Sequence, residues 1–314
     1  MKKLKLYKKG ALKASFFLNI ISFLLFSFLA VIFPSCKSSA VQEVYVDPIE
    51  LLDNESSFFL SIPYSADPSL MTRIIESNIA SISHENAVNA AKRVGVVYAG
   101  FLKSRKSMEV QLAGDVDFPK MIQGKVFTRK NGWLESTMDL KLKDENPVKY
   151  SIWSQNDLDI SLPSDKIILL GRDTKGMLER YHSKYFDINL ESEKKLIAPV
   201  KEYLSYSESD KAAEIKFYAT RPQSFLTMLT GANLTLKLLY VRGSMRLDPK
   251  LDKQYLMDLE FEFKDSRTVP AARGVLSVAF GLTDSDVTQE TPWHLTISNI
   301  KINKEQLYKL LSLI

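Results

Sequence analysis

Three kinds of residue in this chain could do chemistry: closely spaced carboxylates, a few histidines and a single cysteine. Asp157 and Asp159 are two residues apart, as are Asp115 and Asp117, so on a strand each pair projects from one face and could divide acid and base work. A quieter reading is stronger for both pairs. "SQNDLD" is rich in turn formers and reads as a solvated loop entering a strand, while Asp117 is placed to cap a short helix, "DFPKMIQGKVF". The histidines, His84, His182 and His294, lie about a hundred residues apart with no second histidine or cysteine at ligand spacing, and HExxH and CxxC are absent. His84 reads as part of a helix start, His182 as the exposed end of a helix, and His294 as a strand position beside Trp293. GxSxG, GxGxxG and GxxxxGK[ST] do not occur. The expectation is therefore a protein without catalytic, metal or cofactor residues. The enzymatic alternative is a periplasmic hydrolase whose serine, histidine and carboxylate converge from distant positions.

Cys36 is different because it stands alone. It can form no internal disulfide and no thiolate metal cage, and no histidine lies near it in sequence to activate it. Its neighbourhood supplies another role. Six lysines occupy the first 15 residues, Phe16 to Phe33 is an apolar run of 18 residues, and the polar "PSCKSSA" follows, which are the three regions of an export signal in order. Asn19, Ser22 and Ser27 interrupt a run already near the lower limit for crossing a bilayer, so an uncleaved anchor is the lesser alternative.

Phe33-Pro34-Ser35-Cys36 resembles the lipobox of bacterial lipoproteins, with Ser35 at the small position before the cysteine. Phe33 and Pro34 depart from the usual leucine and small residue, and such relaxed boxes are similar to those of spirochaete lipoproteins. The resemblance implies cleavage between Ser35 and Cys36, a diacylglycerol on the Cys36 sulfur and acylation, for instance with palmitate, of the new amino terminus. More than one acyl chain gives stable anchoring, whereas one holds only marginally. Ser38-Ser39-Ala40 offers a competing cut after Ala40 that would discard Cys36. The match covers the N-terminal segment alone; the body shows no motif of a characterised family.

Export changes the meaning of the charge. The whole chain carries +5, but no acid precedes Glu43, so the protein from Cys36 onward has a net charge of −1. That balance argues against nucleic acid as a partner, since its densest basic stretch is "KSRK" at 103–106, which reads as a solvated hairpin turn.

The elements behind these residues follow from periodicity. Residues 36–55 read as a tether. "FFLSI" is a strand, Asp67-Pro68 caps a helix carrying Leu70, Met71, Ile74, Ile75 and Ile79, and "HENAVNAAKRVG" is a second helix closed by glycine. A hairpin spans 96–114, and strands follow near 133–142, 149–153 and 159–171. The order recurs in "EIKFYATRPQSFLTMLTG", a longer hairpin at 234–265, a helix at 266–282 with Pro270 in its first turn, and a strand and terminal helix from Trp293. This predicts an α+β body of two tandem diverged strand-helix-hairpin-helix-strand-helix units, 56–189 and 190–314. Helices would cover antiparallel sheets around a possible ferredoxin-like core.

Trp133, Trp153 and Trp293 and the strand tyrosines Tyr98, Tyr218 and Tyr240 are expected to pack sheet against helix, with a groove for a peptide, glycan or lipid as the functional alternative. The terminal "KEQLYKLLSLI" is expected to dock on its own sheet. The reading is a lipid-anchored envelope protein, held at the membrane through its anchor, whose non-enzymatic body binds an envelope protein or lipid partner. The alternative is a carrier of a lipid or other apolar ligand, marked by an apolar cavity of several hundred Å³ between the two units.

Overall fold

The computed structural model describes residues 44–79, 82–119 without 104–107, 123–141 without 125, 147–186, 198–205, 214–231, 234–281 and 287–311. Cys36, Ser35 and Ala40, the turn residues 104–107, and residues 187–197 at the expected junction of the two units lie outside these.

Twelve strands form one sheet in the order β11-β12-β10-β9-β8-β1-β2-β3-β7-β6-β5-β4. The first seven are β1 (Phe58–Pro63), β2 (Val94–Lys103), β3 (Met108–Val116), β4 (Leu134–Leu140), β5 (Val148–Gln155), β6 (Leu158–Ser164) and β7 (Ile167–Gly171). The last five are β8 (Ile215–Ala219), β9 (Leu238–Leu247), β10 (Gln254–Phe263), β11 (Val287–Thr291) and β12 (His294–Asn303). Every neighbouring pair is antiparallel, and β1 joins the two wings by pairing Phe58 with Ala219 and Leu60 with Phe217. Among the described residues the α-helices are α1 (Pro68–Asn78), α2 (His84–Ala91), α3 (Lys175–Tyr185), α4 (Ala198–Leu204), α5 (Pro222–Thr230), α6 (Val269–Phe280) and α7 (Lys304–Leu311).

Local chemistry explains several boundaries. Asp67 caps α1 by accepting from the Ser69 and Leu70 N–H groups, and Pro68 opens the helix where no N–H is required. Gly281, at φ 63°, ends α6 in the left-handed region. Asn156 and Asp157, at φ 49° and 64°, form the two-residue turn between β5 and β6, the backbone that Asn and Asp tolerate best after glycine. In β10 fully and partly buried residues alternate, so its apolar Tyr255, Met257, Leu259, Phe261 and Phe263 all enter one core.

The sheet buries its two faces unequally. One face carries the larger core under α1, α2, α5, α6 and α7, including Phe58 stacked on Phe101 with ring centroids 3.9 Å apart. The opposite face is covered on the first wing by the 3-10 turn Pro48–Leu51 with α3 and α4, through Phe59, Tyr98, Leu169, Met177 and Val200. Val46, Ile49, Leu51 and Leu52 are buried there, so the packed body begins at Val46 and takes in residues expected as tether. An ion network of Lys201 and Lys184 with Glu50, and Lys201 with Asp47 at 3.3 Å, fastens this turn to α3 and α4.

Three further expectations change. The body has no ferredoxin-like core: β1 and β2, joined through α1 and α2, lie side by side and antiparallel, whereas a split βαβ leaves its helix-linked strands parallel around an inserted third. Gly95 does not close α2; the helix ends at Ala91 with Lys92 as its cap, and Gly95 lies inside β2 at a register shift. Residues 159–171 form two strands, β6 and β7, turned at Asp165-Lys166.

Candidate functional site

The sheet does not gather the sequence-nominated residues into one place. Asp157 and Asp159 flank the β5–β6 turn in an open polar depression with Gln155 and Arg172, and Ser154 Oγ donates to Asp159 Oδ1 at 2.6 Å. Asp115 sits in β3 opposite Val96. The Asp117 carboxylate accepts from Lys166 Nζ at 3.0 Å and lies 3.7 Å from Arg93 Nη1, and the Lys166 bond holds its carboxyl below the usual range, while the start of the helix it was expected to cap lies outside the described residues.

The histidines remain on separate elements. His84 begins α2 and meets Glu76 at 2.6 Å on the surface. His294 lies on β12, with Nδ1 3.3 Å from Glu290 and Nε2 3.8 Å from Glu260, whose carboxylate also receives Arg242 Nε at 2.7 Å. His182 is the correction. It is buried, not exposed, and its Nδ1 shares a 2.9 Å hydrogen bond with Tyr150 Oη. Burial pulls its pKa down. Positions 177, 178, 181, 182 and 185 of α3 form one helical stripe, so the spacing Met177, Leu178, Tyr181, Tyr185 was the signal that His182 faces inward.

What the structure does build is a cavity of about 760 Å³ on the larger-core face of the first wing. Its floor is sheet: Ile62 of β1, Val97 of β2, Leu112 and Val116 of β3, Ile160 and Leu162 of β6, and Ile168 and Leu170 of β7. Its roof is Met71, Ile74, Ile75 and Ile79 on and just after α1, with Leu311 of α7, and its side wall is Phe118, Val126 and Phe127. Behind that wall Phe127 stacks on Trp153 and meets the buried Trp133 edge-on. Trp293, by contrast, is exposed at the β11–β12 turn. The cavity therefore lies over the first wing, with Leu311 contributed by the second half of the sequence.

Its roof is held by a buried carboxylate. Asp67 Oδ2 accepts from Tyr255 Oη of β10 at 2.6 Å and from Lys304 Nζ of α7 at 2.9 Å, while Oδ1 serves the α1 cap. Burial opposes the charge, but hydrogen bonds from Ser69, Tyr255, Lys304 and Leu70 outweigh it and hold the Asp67 carboxyl below the usual range. One turn on, Arg73 makes a bidentate pair with Glu305 and lies 3.6 Å from the Tyr308 ring centre, so α1 and α7 are fastened twice. Leu307 and Leu311 are buried in the larger core, as expected of a docked terminal helix. No helix among the described residues is long and apolar enough to cross a membrane.

One wide antiparallel sheet covered by helices, with an apolar cavity on one face, defines the class of the described body: an α+β protein built on a single large sheet. Residues 43–308 match the family model "Outer membrane-associated lipoprotein TP0453", and the chain belongs to that family. The body is thus matched to a family although no sequence motif announced one. It is similar to "Outer membrane protein TP0453" of Treponema pallidum (strain Nichols), 24% identical over 139 residues, which is 44% of this chain and 45% of that protein. The sequence match thus spans less than half the relative's length. The fold is similar to crystal form I of TP0453, with TM-score 0.63 and 17% identity over 86% of this chain and 98% of that one. It is also similar to crystal form III, with TM-score 0.60 and 19% identity over 86% and 99%. The family places the protein in the cell envelope, associated with the outer membrane.

Proposed function

We propose that this is a lipid-anchored, non-enzymatic envelope protein that holds an apolar ligand in the cavity beneath α1 and α2. The single observation carrying this is the cavity: about 760 Å³, within the size range of small-molecule sites and lined mainly by aliphatic and aromatic carbon. A flat docking surface for an envelope protein needs no such space. The strand order on either side of the β1–β8 pair supports reading the body as two diverged copies, of which the first keeps the cavity.

The protein purified from membranes and delipidated should take up a fluorescent sixteen-carbon fatty acid saturably, one per chain. Absence of saturable uptake would remove the carrier reading and return the body to a partner-binding role. Anchoring is tested separately: radiolabelled palmitate should appear on wild type and vanish in Cys36→Ala. A mature chain beginning at Val41 without lipid mass would refute attachment at Cys36.

A further inference from the structure

We infer that the cavity selects a single-chain amphiphile with an anionic headgroup, and that Lys92, with Asn86 and Asn89, receives that headgroup at the mouth. The inference rests on the ligand-carrier reading and deepens it. The polar residues of the lining are all amides or cations: Asn78, Asn86, Asn89, Lys92, Arg93, Gln123 and Asn131, with no carboxylate among the described lining residues. Asn86, Asn89 and Lys92 stand three residues apart on α2 and its cap, which places them on one stripe. Several of the others are already engaged, since Gln123 Nε2 donates to the Phe118 carbonyl, Asn131 Nδ2 to that of Val126 and Asn78 Nδ2 to that of Ile74. The Asn86 and Asn89 amides and the Lys92 ammonium have no side-chain partner among the described residues.

Charge at the mouth favours an anion. Arg93 and Lys166 both reach Asp117, whereas Lys92 makes no ion pair among the described residues. The α2 C-terminus contributes only about half a negative charge against it. Volume sets the number of chains. Taking each methylene as about the size of a liquid water, ~30 Å³, one sixteen-carbon chain fills roughly 480 Å³ and two need roughly 960 Å³. The cavity of about 760 Å³ holds the first in full, and the diacyl probe below tests the second.

The test is competition against the bound fluorescent fatty acid by four probes: palmitate, hexadecyl phosphate, monopalmitoylglycerol and dipalmitoylphosphatidylglycerol. Palmitate or hexadecyl phosphate should displace it about fivefold better than the neutral monopalmitoylglycerol, the discrimination expected of one half-exposed ion pair. Which of the two is better decides between a carboxylate and a phosphate headgroup. The diacyl lipid should compete poorly. Lys92→Gln should abolish the preference while leaving the affinity for monopalmitoylglycerol unchanged, and Lys92→Arg should retain it. Equal displacement by neutral and anionic probes, effective displacement by the diacyl lipid, or a Lys92→Gln loss that is the same for all probes would overturn the inference while leaving the carrier reading intact. Failure of the fluorescent fatty acid to bind at all would fall on the carrier reading itself.

Discussion

Asp67 is the residue whose removal should most damage the cavity's roof. Its side chain is 2% exposed and receives two backbone N–H groups, the Ser69 hydroxyl, the Tyr255 hydroxyl and the Lys304 ammonium. Asp67→Ala removes an N-cap, worth about 1 kcal/mol. It also orphans a buried tyrosine hydroxyl, about 1–3 kcal/mol, and leaves Lys304, itself only partly exposed, without its carboxylate. With the ion-pair loss at the low end for a partly buried pair, the total is about 4 kcal/mol, a large share of a typical domain's stability. Asp67→Asn keeps the cap but sets an amide against Lys304, so about half that loss is expected.

Equilibrium urea unfolding of the exported body separates these values, and pH adds a second axis. Because the folded carboxyl titrates below its unfolded value, Asp67 contributes stability above about pH 3.9, and that contribution is lost as pH falls through the folded pKa. The gap between wild type and Asp67→Asn should therefore be full at pH 7 and close in strong acid. An Asp67→Ala protein within about 1 kcal/mol of wild type would refute the reasoning, because it would mean these bonds carry no net weight. So would a gap to Asp67→Asn that does not change with pH.

Two other residues give sharp expectations. His182 is buried with a lowered pKa, so the unfolded chain binds a proton first, and stability should fall as pH drops below about 6.5, by at most about 1.4 kcal/mol per pH unit. His182→Phe should flatten that limb in urea melts across pH 5 to 7, whatever its effect at neutral pH; an unchanged slope counts against a neutral buried imidazole. Val97→Phe projects a ring into the cavity from its floor and should reduce fatty-acid uptake about tenfold or more. Because the ring enters open space, its thermal midpoint should stay within a few degrees of wild type.

Features that rest on neighbours in sequence were legible there. The Asp67-Pro68 start of α1, the β2–β3 and β9–β10 hairpins and the Pro270-to-Gly281 span of α6 each follow from a cap, a breaker or an alternation within a dozen residues. Asp67 was readable as a cap, but its second oxygen answers Tyr255 and Lys304, 188 and 237 positions away, and no local pattern encodes that. The same holds for the ion pair of Asp117 with Lys166 of the β6–β7 turn, 49 positions away. His182 differs for another reason: a polar side chain suggests the surface, whereas the apolar stripe of α3 carries it inward, where one ring nitrogen hydrogen-bonds Tyr150. The cavity was invisible because a void is defined by what α1, β7 and residues 118–127 leave unfilled, and that depends on packing across more than a hundred residues.

Within one face of one sheet, the two wings are packed to opposite ends of the range, and the contrast bears on function. On the second wing, a Cβ added at Gly243 of β9 would stand 2.0 Å from the Asp258 carbonyl and 2.7 Å from the Phe217 ring, so not even a methyl group has room. Cores of this kind tolerate few voids larger than a water molecule. The first wing keeps about 760 Å³ over its strands. An apolar hollow of that size left without contacts forgoes the dispersion attraction that its lining carbons would otherwise make. Water cannot fill the floor well, since each buried water needs two to four polar partners and Ile62, Val97, Leu112, Ile168 and Leu170 offer none. On the proposed carrier reading, an apolar chain lies against the floor with its polar end at the amide and lysine rim. There, burying each methylene contributes about 0.8 kcal/mol. Affinity should accordingly rise steeply with chain length and level off once the chain fills the space between the strands and α1.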